Sequence, residues 1–164
     1  MRKIAAIAIT CLLIAACTSI DCPVQNTVYT VYNLKKADGT ADTLTTDTMW
    51  IRTTRADGKE AVVLNALCGT SAFHFDLDIS YTQPEDVLYM EVVNNVGGMW
   101  RDTIRIKKEN EAHFESVDCQ ASYFHTITEI SYSQHLIDSI VINNPNVTYD
   151  STNPHFYLYL KARR

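Results

Sequence analysis

Three side chains at even intervals, His113, Cys119 and His125, invite a metal reading, because imidazole and thiolate are ligands that zinc and copper favour. Their context argues otherwise. No carboxylates cluster with these histidines along the chain, and Cys119 has a better use in a disulfide. We expect a solvent-facing histidine on a strand and no metal. Asp76 and Asp78 form a second constellation, with Glu85 and Asp86 just beyond. On a strand, spacing of two puts both carboxylates on one face, where they could hold Ca²⁺ or act as an acid/base pair. The calcium loop with its obligatory glycine is missing, and a solvated strand face is the commoner role for such residues. Ser71, in CGTSAF, lacks the Gly-x-Ser-x-Gly turn that exposes a nucleophile. There is no phosphate loop, no His-Glu-x-x-His and no Cys-x-x-Cys. Cys68 has no neighbouring thiol or activating base in sequence. No catalytic residue, metal or cofactor follows from these patterns, and the expectation is a non-enzyme.

The remaining cysteines carry a different message. Arg2 and Lys3 open the chain, and an uncharged run dominated by Ala, Ile and Leu extends to Ala16. This is the layout of a secretory signal, and it is too short for a spanning helix of about 20 residues. It ends in Ile14-Ala15-Ala16-Cys17, which looks like a bacterial lipobox: small residues suit the peptidase pocket, and the thiol of Cys17 accepts the diacylglycerol. We therefore expect a cleaved signal over 1–16, a lipid anchor and short tether over 17–22, and a single domain over 23–164. The full chain has a formal charge of −5, and the leader removes two basic residues and no acidic one. So acidic a surface argues against nucleic acid. Export to an oxidising compartment predicts one disulfide among Cys22, Cys68 and Cys119. Spacing does not decide the pair. The polar, turn-like settings of Cys22 and Cys119 favour those two, and Cys68, after the apolar run of NALCGT, is suited to a buried site. Only four residues separate Cys17 from Cys22, a reach of about 15 Å, so the domain stays close to its membrane.

The elements that must position these groups read as strands. Gly and Pro are sparse while Thr, Tyr, Val and Ile abound. In FHFDLDIS, Phe73, Phe75, Leu77 and Ile79 face one way and His74, Asp76, Asp78 and Ser80 the other, the period-two signature of an antiparallel strand with one wet face. Runs of similar character begin at Thr27, Thr48, Glu60, Asp86, Met99, Ala121, Asp138 and Phe156. Turn chemistry separates them at Ala37-Asp38-Gly39, Ala56-Asp57-Gly58, Pro84-Glu85-Asp86, Asn94 to Gly98 and Asn143 to Asn146. Eight or nine short strands predict an all-β fold, an antiparallel β-sandwich of immunoglobulin-like type, with a small β-barrel as the alternative.

One phrase recurs: Asp47-Thr48-Met49, Asp102-Thr103-Ile104 and Asp138-Ser139-Ile140, joined by Asp42-Thr43-Leu44 and Asp150-Ser151-Thr152. Asp at a strand start explains part of the pattern. It also resembles the O-glycosylation sequon of exported Bacteroidota proteins, with Thr43, Thr48, Thr103, Ser139 and Ser151 as acceptors, where roughly one match is expected from composition. A glycan there would be surface decoration. Among the aromatics, Trp50, Tyr157 and Tyr159 are the candidates for stacking on sugar rings, while Trp100 alternates with Ile104 and Ile106 as a core residue does.

The stretch 101–150 carries His113-Phe114-Glu115-Ser116-Val117-Asp118-Cys119, Phe124-His125-Thr126-Ile127, Ile137-Asp138-Ser139-Ile140 and Asn144-Pro145-Asn146-Val147. Together with the lipobox and DCPVQNTVYTVY, these resemble a family of small Bacteroidota outer-membrane lipoproteins known only as a domain of unknown function. Val117 stands where that family typically has proline. The resemblance implies an envelope lipoprotein and a genomic neighbour that is an outer-membrane barrel; it implies no substrate, cofactor or catalytic residue. The expectation is a membrane-held, non-catalytic interaction module with an envelope protein partner, an outer-membrane barrel being one form of it. The alternatives are a glycan-binding lipoprotein and, last, a carboxylate hydrolase. With one acid after the anchor, at Asp21, and Thr18 directly following Cys17, the periplasmic face of the outer membrane is the expected location.

Overall fold

The computed structural model describes Cys22 and residues 27–163; the leader and the lipidation candidate Cys17 lie outside the described residues. Ten strands follow one another: β1 (Tyr29–Lys35), β2 (Asp47–Thr54), β3 (Glu60–Leu67), β4 (His74–Asp78), β5 (Glu85–Asn94), β6 (Met99–His113), β7 (Ser122–Tyr132), β8 (Ile137–Ile142), β9 (Asn146–Val147) and β10 (Phe156–Leu160). They form a four-stranded sheet, β4-β1-β10-β8, and a six-stranded sheet, β3-β2-β5-β6-β7-β9. Neither sheet closes on itself, so the molecule is a β-sandwich and not a barrel.

Alternation decides which side chains face inward. On β4, Phe75 and Leu77 are buried between exposed His74, Asp76 and Asp78. On β5, Leu88, Met90 and Val92 point to the core, and across the ladder they meet Ile104, Asp102 and Trp100 of β6. Tyr32 of β1 is the centre of the other sheet. It stands directly opposite Phe75 on one side and Phe156 on the other, with ring centroids 4.9 and 4.8 Å away. This aromatic triple packs against Leu34, Met49, Ile51, Leu77 and Ile106 in one continuous apolar layer, the main source of folding free energy.

The structure departs from the sequence reading in four places. There is one parallel pair, β1 with β10, in an otherwise antiparallel arrangement. A two-residue strand, β9, is added at Asn146–Val147, too short to show alternation. Glu85 and Asp86 open β5 and are not part of a turn, because Ser80 already folds the chain back with Oγ accepting from the amides of Thr82 and Gln83. Cys68 is exposed, not buried. It follows the edge strand β3, whose pairing with β2 slips twice, and Ala66 beside it takes a left-handed backbone (φ 52°) that turns the segment away from the core. A disulfide joins Cys22 to Cys119, with Cα atoms 5.5 Å apart.

Candidate functional site

The open end of the sandwich near the disulfide holds a cleft of about 630 Å³. Its lining includes Tyr29 at the start of β1, Asp78 at the end of β4, Tyr81 in the following turn, and Gln120, Tyr123 and His125 at the start of β7. Tyr81 and Tyr123 stack with centroids 5.0 Å apart, and Tyr81 remains 58 % exposed. A smaller cleft of about 310 Å³ shares Asp78, Ile79 and Tyr81 and continues along Ala61, Val62 and Val63 of β3. The two make one groove around the 79–84 turn.

A buried polar network holds that turn. Lys108 continues the inward row of Ile104 and Ile106 on β6, so its ammonium ends inside the molecule. There it pairs with Asp86 and donates to the carbonyl of Gln83 (2.9 Å). Asp86 in turn accepts from the Ser80 amide (3.2 Å). Burial pushes the Asp86 carboxyl up, against the opposing hydrogen bond and charge of Lys108. The Asn110 side-chain amide donates to the carbonyls of Tyr81 (3.2 Å) and Gln83 (3.1 Å). Its oxygen lies 2.7 Å from His125 Nδ1, which fixes that nitrogen as the protonated one. Burial, aided by the charge of Lys108, lowers the His125 pKa to about 4, so this ring is neutral at physiological pH. Tyr81 is thus presented on a rigid turn.

A second aromatic group lies beside it. His113 stacks on Phe124 at 4.3 Å, and Tyr149 meets Phe124 edge-on at 5.0 Å, its hydroxyl bonded to Ser122 Oγ.

The structure disperses the sequence constellations. His113 stacks on Phe124, Cys119 is in the disulfide, and His125 is buried against Asn110 where a solvent-facing side chain was expected. The β7 pairing with β6 slips by one residue at Thr128, and this bulge lets His125 turn inward. Asp76 approaches His74 (3.4 Å), Glu85 meets Arg105 (3.2 Å), and Asp86 belongs to Lys108. Asp78 and Asp86 do line the same smaller cleft, but Asp86 is already neutralised there. Trp50 lies on the outer face of the six-stranded sheet, opposite Glu91, and Tyr157 and Tyr159 lie on the outer face of the other sheet. The three cannot meet on one ligand, and the Lys35 ammonium already sits 5.2 Å over the Tyr157 ring.

The recurring Asp-Ser/Thr phrase has mixed roles. Asp42 and Asp47 both bind Arg163, and Asp102 is buried as the anchor of the 133–137 corner. Of the acceptors, Thr43, Thr48, Thr103 and Ser139 are half-buried, while Ser151 is exposed in a loop.

Residues 48–160 match the family model described as a family of unknown function (DUF6452). The chain belongs to this family. The matched region of the DUF6452 domain begins in β2 and ends with β10, so it includes Tyr81, Lys108, Asn110, Tyr123 and His125 and leaves out β1 with Tyr29. No match was found among curated proteins or among solved structures. Sequence reasoning missed Tyr81, Lys108 and Asn110. The available signal was Lys108, a charge at the inward position of an alternating apolar strand, which demands a buried partner.

Proposed function

We propose that this DUF6452 chain is a lipid-anchored, non-catalytic interaction module of a Bacteroidota cell envelope, held at the periplasmic face of the outer membrane, which grips a membrane-protein partner through the tyrosine-lined cleft. The Tyr81–Tyr123 stack, exposed on a rigid turn beside Tyr29, carries this reading. Tyrosine concentrates in protein interfaces because it offers a large apolar face with little side-chain entropy to lose and a hydroxyl that can find a partner. Placement supports the same reading. Gln120 and Ala121 of the cleft directly follow Cys119, whose disulfide partner Cys22 stands five residues after the candidate anchor Cys17. A surface so tethered meets proteins in or at that membrane.

Affinity capture of the tagged, lipidated chain from gently solubilised envelopes, read by mass spectrometry, tests it. A stoichiometric membrane partner that survives high salt and is lost with Tyr81→Ala or Tyr123→Ala is expected. Recovery of the lipoprotein alone sinks the module reading and sends the cleft to glycan arrays.

A further inference from the structure

We propose that the 114–118 loop is a membrane-contacting element that seats Phe114 and Val117 in the interfacial layer of the bilayer to which Cys17 is attached. Lipid contact here rests on the anchored reading above and adds the face by which the domain meets its membrane.

Exposure is the first observation. Val117 is 98 % exposed and Phe114 64 %. Single exposed hydrophobics are ordinary on soluble domains, so exposure alone decides nothing. Their company and their tether do. At the base of the loop, His113, Phe124 and Tyr149 form a ring cluster, with Tyr149 still 40 % exposed, and the exposed Tyr81 stacked on Tyr123 lies at the same end of β7. Rings with one polar tip are the side chains that the bilayer–water boundary accommodates.

The tether points the same way. Five peptide units join Cys17 to Cys22 and span at most about 18 Å, whatever path they take. The Cα of Cys22 is 5.5 Å from that of Cys119, and Val117 is two residues from Cys119. An acyl chain on Cys17 therefore keeps this loop within reach of the lipid surface. The exposed pair Val96 and Met99 belongs to the opposite end, separated from His113 by the 15 residues of β6, about 50 Å of extended chain. The neighbouring charges fix the kind of contact. Glu115 lies between Phe114 and Val117 and Asp118 follows them, so attraction to anionic headgroups is absent and the contact is apolar, insensitive to salt and suited to a phosphatidylethanolamine-rich leaflet.

A tryptophan at the loop tip reads this directly. The lipidated full chain carrying Val117→Trp is reconstituted in protein-free vesicles of phosphatidylethanolamine and phosphatidylglycerol, with and without brominated acyl chains. Val117 packs on nothing that its replacement disturbs, and Phe114→Trp serves as the independent second variant. Trp50 and Trp100 lie toward the Asn94–Gly98 end and act as internal controls. The expected result is a blue shift and loss of most of the added emission in brominated vesicles, unchanged in high salt, with the wild-type signal unquenched. Flotation with the vesicles reports the anchor separately. A chain that floats while the added tryptophan of both variants stays unquenched overturns the loop contact and leaves the anchor standing. A chain that does not float overturns the anchor, and the loop contact with it.

Discussion

Asp102 illustrates how one residue in this molecule does the work of a loop's worth of contacts. Its carboxylate accepts from Ser133 Oγ (2.6 Å) and from the amides of His135, Leu136 and Ile137 (2.7–2.8 Å), so the corner between β7 and β8 is tied to the centre of β6. Burial by itself raises its pKa, but these hydrogen bonds outweigh burial and hold it below the usual carboxylate range. A depressed folded pKa stabilises above the unfolded value of about 4, and that contribution is lost as pH falls through the folded value. Asp102→Ala leaves buried amides unpaired and should cost about 3–4 kcal/mol in urea unfolding at neutral pH. His125 governs a higher window. Its folded pKa of about 4 lies below the unfolded value of about 6.5, so protons favour the unfolded chain and stability declines as pH falls from 6.5 toward 4. Buried His155, its Nδ1 accepting from the Val31 amide, adds to the same decline, whereas Asp86, with its raised pKa, opposes it. The difference between wild type and His125→Gln isolates the imidazole: wild type should lose about 2–3 kcal/mol more between pH 7 and pH 4. Among the sequon acceptors, Ser151 is the exposed one and the other four are half-buried, so the main glycan seen in intact mass should vanish with Ser151→Ala and persist with Thr103→Ala.

Strands were legible wherever alternation ran unbroken, as on β4, where Phe75 and Leu77 against Asp76 and Asp78 define both faces. Legibility failed where pairing, not pattern, makes the element. β9 exists because Val147 and Asn146 pair with His125 and Thr126, and nothing local announces that. The parallel β1–β10 pair joins segments from opposite ends of the chain, a contact that period-two reasoning cannot supply. The cleft was hidden for a related reason: Tyr81 and Tyr123 are far apart in sequence and meet only because β4 and β7 reach the same end. In β7 the register slips opposite Lys107 and Lys108, leaving Thr128 unpaired between Ile127 and Glu129. This bulge is what lets His125 and Ile127 on one side of it, and Ile130 and Tyr132 on the other, all turn inward although Ile127 and Ile130 are three residues apart. Deleting Thr128 must push one of these sets to solvent. A loss of about 2–5 kcal/mol in unfolding free energy, measured by urea denaturation, is expected, on the scale of removing a core isoleucine, while Thr128→Ser should be neutral.

At the scale of the whole molecule, the first and last described elements are fastened to each other and to the rest of the domain. β10 pairs with β1, Arg163 clamps Asp42 (2.9 and 3.0 Å) and Asp47, and the disulfide ties Cys22 to Cys119 across 97 residues. A sandwich with two unclosed sheets gains most from such long-range fastening, because each tie removes many extended conformations from the unfolded chain. Under the anchoring proposed at Cys17, the disulfide would have a second effect: force or motion at the anchor would be delivered to the 114–121 segment and not to β1 alone. Replacing both Cys22 and Cys119 by serine separates the two roles. Chain entropy for so long a loop predicts a loss of about 3–5 kcal/mol in unfolding free energy, measured under oxidising conditions. Partner capture and loop quenching should suffer in the same variant even at temperatures where it stays folded, since the cleft end is then free to swing away from the membrane. A variant that loses stability but keeps partner capture at full strength would show that the disulfide holds the fold together without setting its orientation.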